Sequence, residues 1–425
     1  MFTRHTLALF GLLAFASSAH AQYNYSKDIS RIFQAKCQQC HREGDVAPFA
    51  LDSYATAVAW SEDIKNAVSQ KRMPPWKPVD GYNSFRDAWG LNDEERSMIV
   101  NWVDAGMPEG DAADLPEPLP NTGEWALGDP DMIVKMPIEF AIPARKDTYR
   151  CFVIPTNLAA DQFLSAIQYL PGNRQVVHHV IAYVDKTGAS AKYDGKDGSP
   201  GYDCFGGPGD GVAEDATSML GGWAPGVRAR FLPDGIAMKL PKGSKIVLQV
   251  HYFANGKKDQ TDQTKVGLYY SKNSVNKLLA FLPILNTGFK LKPGEENAEV
   301  TAQFAIPPFY DATVILVAPH MHLLGKQIKL EKIGIDKKVD PLIYINDWNF
   351  SWQGFYTLET PMPLPALSQL KVTCNFDNSD KNPKNPNNPL KTVGWGEGTE
   401  DEMCIGFVGV VFDRQGLPFV SKRTR

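Results

Sequence analysis

Two sets of residues in this sequence have types and spacings that can do chemistry. The first is "CQQCH", Cys37 to His41. Two thiols three residues apart and followed at once by histidine match c-type haem attachment, in which the thiols bond the porphyrin vinyl groups and the imidazole binds iron. A dithiol redox pair needs no adjoining histidine, and a zinc site needs a second pair of ligands that the neighbouring sequence lacks. The other axial ligand is expected to be a methionine, because residues 24–108 contain no other histidine. Met73, in "KRMPPW", is the favoured candidate, since the prolines end a helix and hold a loop beside it. Met98 lies between Arg/Ser and Ile99/Val100 in a helical pattern and reads as core, and Met107 lies at the segment's edge. A thioether ligand raises the haem potential relative to water or a second nitrogen.

The second set emerges from the other histidines. Of 8 in the chain, His5 and His20 fall in the first 21 residues and His41 belongs to the haem motif. The remaining five, His178, His179, His251, His320 and His322, all sit in or beside apolar strand-like runs, where an isolated surface histidine would be out of place. In "SKIVLQVHYF", alternation places Val247, Gln249 and His251 on one face and Ile246, Leu248, Val250 and Tyr252 on the other. In "VILVAPHMHLLG", His320 and His322 share a face if the strand continues past Pro319, while Met321 points away and reads as packing. The adjacent pair His178–His179 is harder, because neighbours in a regular strand point oppositely; both reach one ion only where the strand bends or ends. Imidazole suits zinc, copper, iron and nickel alike, so the histidines leave the metal open. A soft thioether favours Cu(I), and Met403 in "DEMCIGFVGVVF" is available, although read alone it is an ordinary packed residue. Gln249 reads equally as a polar group near the His251 site and as an unremarkable strand residue.

The rest of the chain must position these groups. It has 425 residues, 43% hydrophobic and 22% charged, which is a globular composition long enough for two or three domains. A net charge of −4 provides no basic field for nucleic acid. Residues 1–21 read as a secretory signal, with Arg4, the apolar "LALFGLLAFA" and the small-residue site "AHA"; the run is too short for a membrane span and ends in a cleavage site. No later run is long enough to cross a membrane, so the expectation is an exported chain, periplasmic or secreted, in which disulfides persist. Residues 22–108 show three short helical patterns, the last opened by Asn92 with Glu95 three residues on and closed at Gly106. Residues 109–127 are Pro-rich, acidic and without periodicity, a linker. From residue 128 the chain becomes short strands punctuated by Gly, Pro, Asn and Asp, a pattern of antiparallel sandwiches divided near residues 275–295.

The residues from 128 to 425 also carry a resemblance. In order, "YRCFVIP", "VVHHV", "GGWAPG", "LPKGSKIVLQVHY", "HMH" and "DEMC" resemble the copper type II, ascorbate-dependent monooxygenases, the family of peptidylglycine α-hydroxylating monooxygenase and dopamine β-monooxygenase. The segment around "KRMPPW" is similar to small c-type cytochromes. Together these imply a small all-α cytochrome c domain (22–108) followed by two all-β antiparallel, jelly-roll-like sandwich domains (128–285 and 286–425). They imply two copper ions: one held by His178, His179 and His251 for electron transfer, the other by His320, His322 and Met403 where dioxygen is activated. They imply one covalently attached haem c on Cys37, Cys40 and His41 with Met73. The four remaining cysteines allow three pairings, of which the resemblance favours Cys151–Cys204 and Cys374–Cys404, the latter fixing the Met403 loop. The implied activity places one atom of O2 in a C–H bond of a small molecule and the other in water, with electrons arriving through the haem or from ascorbate or another external reductant. Where the peptide-amidating branch has an Arg, an Asn and a Tyr that hold the substrate carboxylate, this chain has Ala318, Ile405 and Phe407. An apolar or aromatic substrate is therefore expected in place of a peptide. The alternatives are a haem–copper electron carrier or copper-binding protein without turnover, and a zinc hydrolase, which fits neither Met403 nor the haem motif.

Overall fold

The computed structural model describes residues 23–43, 47–86, 88–119, 124–253 and 256–413. The expected signal segment lies outside them. No described helix is long and apolar enough to cross a membrane.

The chain up to Pro74, with Leu91–Leu119, forms one compact unit. Its helices are Ser30–Lys36, continuing a π turn at Tyr25–Ile29, then Tyr54–Ala59, Ser61–Ser69 and Asp93–Asp104. The last begins with a full capping box: Asn92 accepts from the Glu95 amide and Glu95 accepts from the Asn92 amide, satisfying donors that a helix start otherwise leaves open. Ile99, Trp102 and Val103 on this helix pack with Ile29, Phe33 and Ile64.

The expected small all-α cytochrome domain is nevertheless overturned. The described residues are 35% strand and 12% helical, and those near the N-terminus supply only short helices, the longest 12 residues, joined by irregular chain. Pro75–Gly90 leaves them altogether and belongs to the second unit. The reason is local: Pro74, Pro75 and Pro78 offer no amide hydrogen and cannot continue the helix that ends at Ser69. The segment after them pairs with strands instead, Val79 donating to the Tyr344 carbonyl at 2.8 Å and Arg86 to that of Thr357 at 2.9 Å.

The second unit, Pro75–Gly90 and the chain from Pro120 onward, contains the sandwiches. One eight-stranded sheet serves both. Its first half contains Met132–Lys135, Lys265–Tyr270, Gln162–Leu170 and Ile236–Leu240; its second contains Lys277–Leu285, Ile405–Phe412, Ala312–His320 and Tyr356–Leu364. The halves meet in a short parallel pairing of Ile236 and Ala237 with Lys277 and Leu278. A five-stranded sheet, ordered Tyr202–Asp203, Thr148–Pro155, Lys245–Tyr252, Val177–Asp185, Met219–Trp223, covers the first half. A four-stranded sheet of Ala298–Ala305, Gln369–Phe376, Gly325–Ile333 and Val339–Ile345 covers the second.

Strand alternation decides what each face does. Ile246, Leu248, Val250 and Tyr252 enter the N-terminal core with Phe152, Val180 and Leu268, each such aliphatic side chain contributing ~1.5–3 kcal/mol through burial. Their neighbours Val247, Gln249 and His251 face the other way, where Val247 packs with the Cys151–Cys204 disulfide. The second core gathers Val314, Val317, Val408 and Val410 against Ile328, Leu330, Ile343 and Val372. Ile315, Leu316 and Val411 from the C-terminal half reach into the first core, so the two sandwiches are packed side by side on a continuous apolar seam. The second disulfide is Cys374–Cys404; both pairings are those the resemblance implied.

Candidate metal centre

His178, His179 and His251 converge, with one ring nitrogen from each lying within 4.8 Å of the others. The adjacent pair manages this because the strand is not regular. Between Val177 and His179 the register against Lys245–Tyr252 shifts, leaving His178 as the extra residue of a β-bulge while His179 pairs directly with His251. A bulge locally bends and twists its strand, so two successive imidazoles turn to one side, with their Nδ1 atoms 3.2 Å apart. His251 is fully buried; its Nε2 faces Asp147 Oδ2 at 3.4 Å and its ring stacks on Tyr149 at 4.1 Å and 9°. Its Nδ1 is buried without a hydrogen-bond partner. A buried, unpaired ring nitrogen beside two other imidazoles is costly unless something accepts its lone pair, and a metal ion does so.

His320 ends the strand Ala312–His320, and His322 follows around Met321, which is fully buried in the second core as packing. The rings of His320 and His322 lie 5.1 Å apart at 88°. His322 Nδ1 is 3.0 Å from the Asp401 carbonyl, and His320 Nδ1 is 2.5 Å from Gln353 Oε1. Both partners are acceptors, so each Nδ1 carries the proton and each Nε2 is left free to ligate. Met403 is 5% exposed yet belongs to none of the apolar clusters, and with His320 and His322 it lines a cavity of about 300 Å³. Glu402 holds the three together. Fully buried, it accepts from the amides of His322 at 2.9 Å, Leu324 at 2.6 Å and Met403 at 3.1 Å. Burial outweighs these bonds and pushes its carboxyl up to about 8.

The same cavity reaches the first histidine set. His179 and Gln249 line it, along with Ala318, Ile405, Phe407, Trp223 and Phe355. Phe350 spans the two sets, stacked on His178 at 4.5 Å and meeting His322 edge-on at 5.5 Å. Gly222, also in the cavity wall, leaves no room for a side chain, because a Cβ there would lie 2.6 Å from the Val180 carbonyl. Burial, reinforced by the neighbouring imidazoles, lowers His178 and His322 to about 3 and takes His179 well below its ordinary value. Burial lowers His320 to about 4. These rings are therefore neutral near pH 7, the form that binds metal. Gln249 donates to the Cys204 carbonyl at 3.1 Å, so its side chain is both a strand brace and part of the cavity wall.

In the first unit, Cys37 and Cys40 form no disulfide and are half-buried. The chain turns tightly there, with the Cys40 and His41 amides donating to the Cys37 carbonyl at 3.1 and 3.0 Å. His41 Nδ1 lies 2.9 Å from the Phe49 carbonyl, which leaves Nε2 available. Met98 and Met107 pack against the helical core, whereas Met73 is half-buried outside it. The two thiols and the tautomer-fixed imidazole are of the donor types that haem c takes.

Sequence reasoning missed Asp147, Tyr149, Phe350, Gln353 and Glu402. Only Glu402 carried a signal, an acidic residue directly before Met403 in a strand-like run. The others lie far along the chain from the ligands they touch.

Comparison with known proteins agrees with the second sandwich. Residues 300–412 match the family described as copper type II ascorbate-dependent monooxygenase, C-terminal domain. No curated protein matches the chain. Among solved structures, the chain is similar to the major capsid protein P2 of bacteriophage PM2 at 10% identity and TM-score 0.24, over 69% of this chain and 98% of that one. It is also similar to PNGF-II at 10% identity and TM-score 0.27, over 66% and 65% of the two chains. Likeness at these scores carries no argument about function. The segment that carries His320, His322 and Met403 thus matches the C-terminal domain of the copper type II, ascorbate-dependent monooxygenases.

Proposed function

We propose that this protein is an exported, copper-dependent monooxygenase that hydroxylates a C–H bond of an apolar or aromatic small molecule. The overall change is R–H + O2 + two electrons + two protons giving R–OH + water. The observation that carries the reading is the cavity of about 300 Å³ lined by His179 of one histidine set and by His320, His322 and Met403 of the other. A carrier of electrons alone has no use for such an enclosure next to a thioether.

His178, His179 and His251 would hold one copper through Nδ1 atoms; His320 and His322, through Nε2, and Met403, through sulfur, would hold the second. Copper supplies one-electron and dioxygen chemistry, and a thioether in the set favours Cu(I). The chain's own part is to present neutral imidazoles, fix their tautomers through Asp147, Gln353 and the Asp401 carbonyl, and exclude water behind Trp223, Phe355 and Phe407. Ala318, Ile405 and Phe407 line the cavity and offer no charge or hydrogen bond to a carboxylate, which favours an apolar substrate over a peptide. Cys37, Cys40 and His41, with Met73, would carry haem c and feed electrons to the coppers in place of, or beside, ascorbate or another external reductant. Two buried disulfides fit an oxidising compartment.

The test is a screen of small molecules with ¹⁸O2 and reductant. One labelled oxygen recovered in a product supports the enzyme. Copper and haem loading with electron transfer but no labelled product supports the carrier, and zinc in place of copper removes both. Haem absorbance that survives denaturation and disappears in C37A/C40A reports the covalent group separately.

A further inference from the structure

The loop Trp395–Met403 does more than deliver Met403. It is a closed body: the Gly396 amide bonds the Glu402 carbonyl at 3.2 Å, the Asp401 amide bonds the Gly398 carbonyl at 2.9 Å, and the Asp401 carboxylate accepts from the Gly398 amide at 3.1 Å. Its end holds the His320–His322–Met403 set through Glu402 and the Asp401 carbonyl. Its middle reaches the other sandwich. Thr399 Oγ1 donates to Asp147 Oδ2 at 2.8 Å, the same oxygen that faces His251 Nε2, and the Thr399 side chain also interacts with the Tyr149 hydroxyl. Asp147 fixes the edge of the His251 ring and Tyr149 stacks on its face. One hydroxyl from the C-terminal sandwich therefore bears on both groups that orient a histidine of the N-terminal sandwich.

We propose that Thr399 is a positioning residue that couples the two metal sites. The inference rests on the copper reading given above. When the first site is filled, His251 is fixed, and Asp147 and Tyr149 with it; Thr399 is then held, and the loop that presents Met403 is held with it. Coupling through one rigid element is reciprocal, so filling the second site tightens the first by the same factor. No step of the reaction passes through Thr399, which touches neither cavity ligand nor substrate.

The test is copper titration of the full chain, followed by electron paramagnetic resonance for Cu(II) and by X-ray absorption for the Cu(I)–sulfur signal. T399V keeps the shape and removes the hydroxyl; T399S restores it. T399V should weaken copper at the His178–His179–His251 site by about 10-fold, the scale of one lost hydrogen bond to a charged group, and diminish the Cu(I)–sulfur signal. T399S should behave as the unaltered protein. In the H320A background, where only the first site remains, T399V should still weaken that site. Weakening confined to the Met403 site, or absent from both, overturns the coupling. Failure of the unaltered protein to take up copper defeats the functional reading itself, and so is distinguishable.

Discussion

The His178–His179–His251 set lies inside a continuous sheet, and its ligands come from two hydrogen-bonded strands. The His320–His322–Met403 set lies where a strand stops and a loop returns, and its ligands are held by a buried carboxylate and flanked by a disulfide. The ladder on either side fixes the backbone of the bulge, so Asp147 and Tyr149 have only the His251 ring to steady. A strand end has lost its ladder, so other bonds must replace it: Glu402 for the backbone, Gln353 and the Asp401 carbonyl for the rings, and Cys374–Cys404 for the chain beside Met403. The two sites should therefore fail differently, the first when a ligand or the Thr399–Asp147–Tyr149 contact on His251 is removed, the second also when a support of its backbone is removed.

The largest effect is expected at Glu402. E402A strips the acceptor from three amide bonds in a buried place, each stranded donor costing about 1–3 kcal/mol. Thermal unfolding should show a loss of several kcal/mol, about 3 or more, together with loss of the Cu(I)–sulfur signal; a variant with unaltered melting and sulfur ligation would show that the loop does not depend on the carboxylate. C374S/C404S should come next, at ~2–4 kcal/mol in denaturant titration, with the Met403 site weakened more than the all-histidine site. Equal weakening of both sites would erase the contrast drawn above.

Removing ligands should separate the sites. H178A is expected to lower copper affinity at the first site by about 10–100-fold, with a smaller loss of sulfur ligation at the second through the Thr399 loop; the cavity between them would carry more than supposed if both collapsed. M403I should lower Cu(I) affinity and turnover at the second site by about 10-fold, with the haem spectrum unchanged and the first site altered less, through the Thr399 loop alone; unchanged turnover removes Met403 from the site. F350L, the mildest change, keeps an apolar side chain but loses the stack on His178, so it should alter the Cu(II) spectrum of the first site with less than ~1.5 kcal/mol change in stability.

Much of this was legible beforehand, and unevenly so. Alternation in "SKIVLQVHYF" correctly separated Gln249 and His251 from the apolar face, because a buried sheet imposes a period of two. The HMH run read correctly as two polar positions around a packing methionine. The HH pair resisted the same logic, since a bulge is written in pairing with another strand and leaves no local mark. The all-α cytochrome domain was misjudged for a similar reason. Helical periodicity around Phe33, Ile64 and Trp102 is real, but it cannot say that Pro75–Gly90 will pair with strands hundreds of residues away.

What the sequence determined by itself is the inventory: five imidazoles in strand-like runs, candidate thioethers at Met73 and Met403, two thiols beside a histidine, and the texture of strands that must bury one face. These follow from side-chain chemistry and from short-range periodicity, which need no knowledge of the fold. Tertiary structure alone decided that His179, His320 and His322 line one cavity, that a buried glutamate staples a strand end to a methionine loop, and that a threonine from one sandwich bears on the groups that orient a histidine of the other. Each is a contact across a large separation in the chain, set by which faces the packed sheets bring together, and no local pattern encodes it.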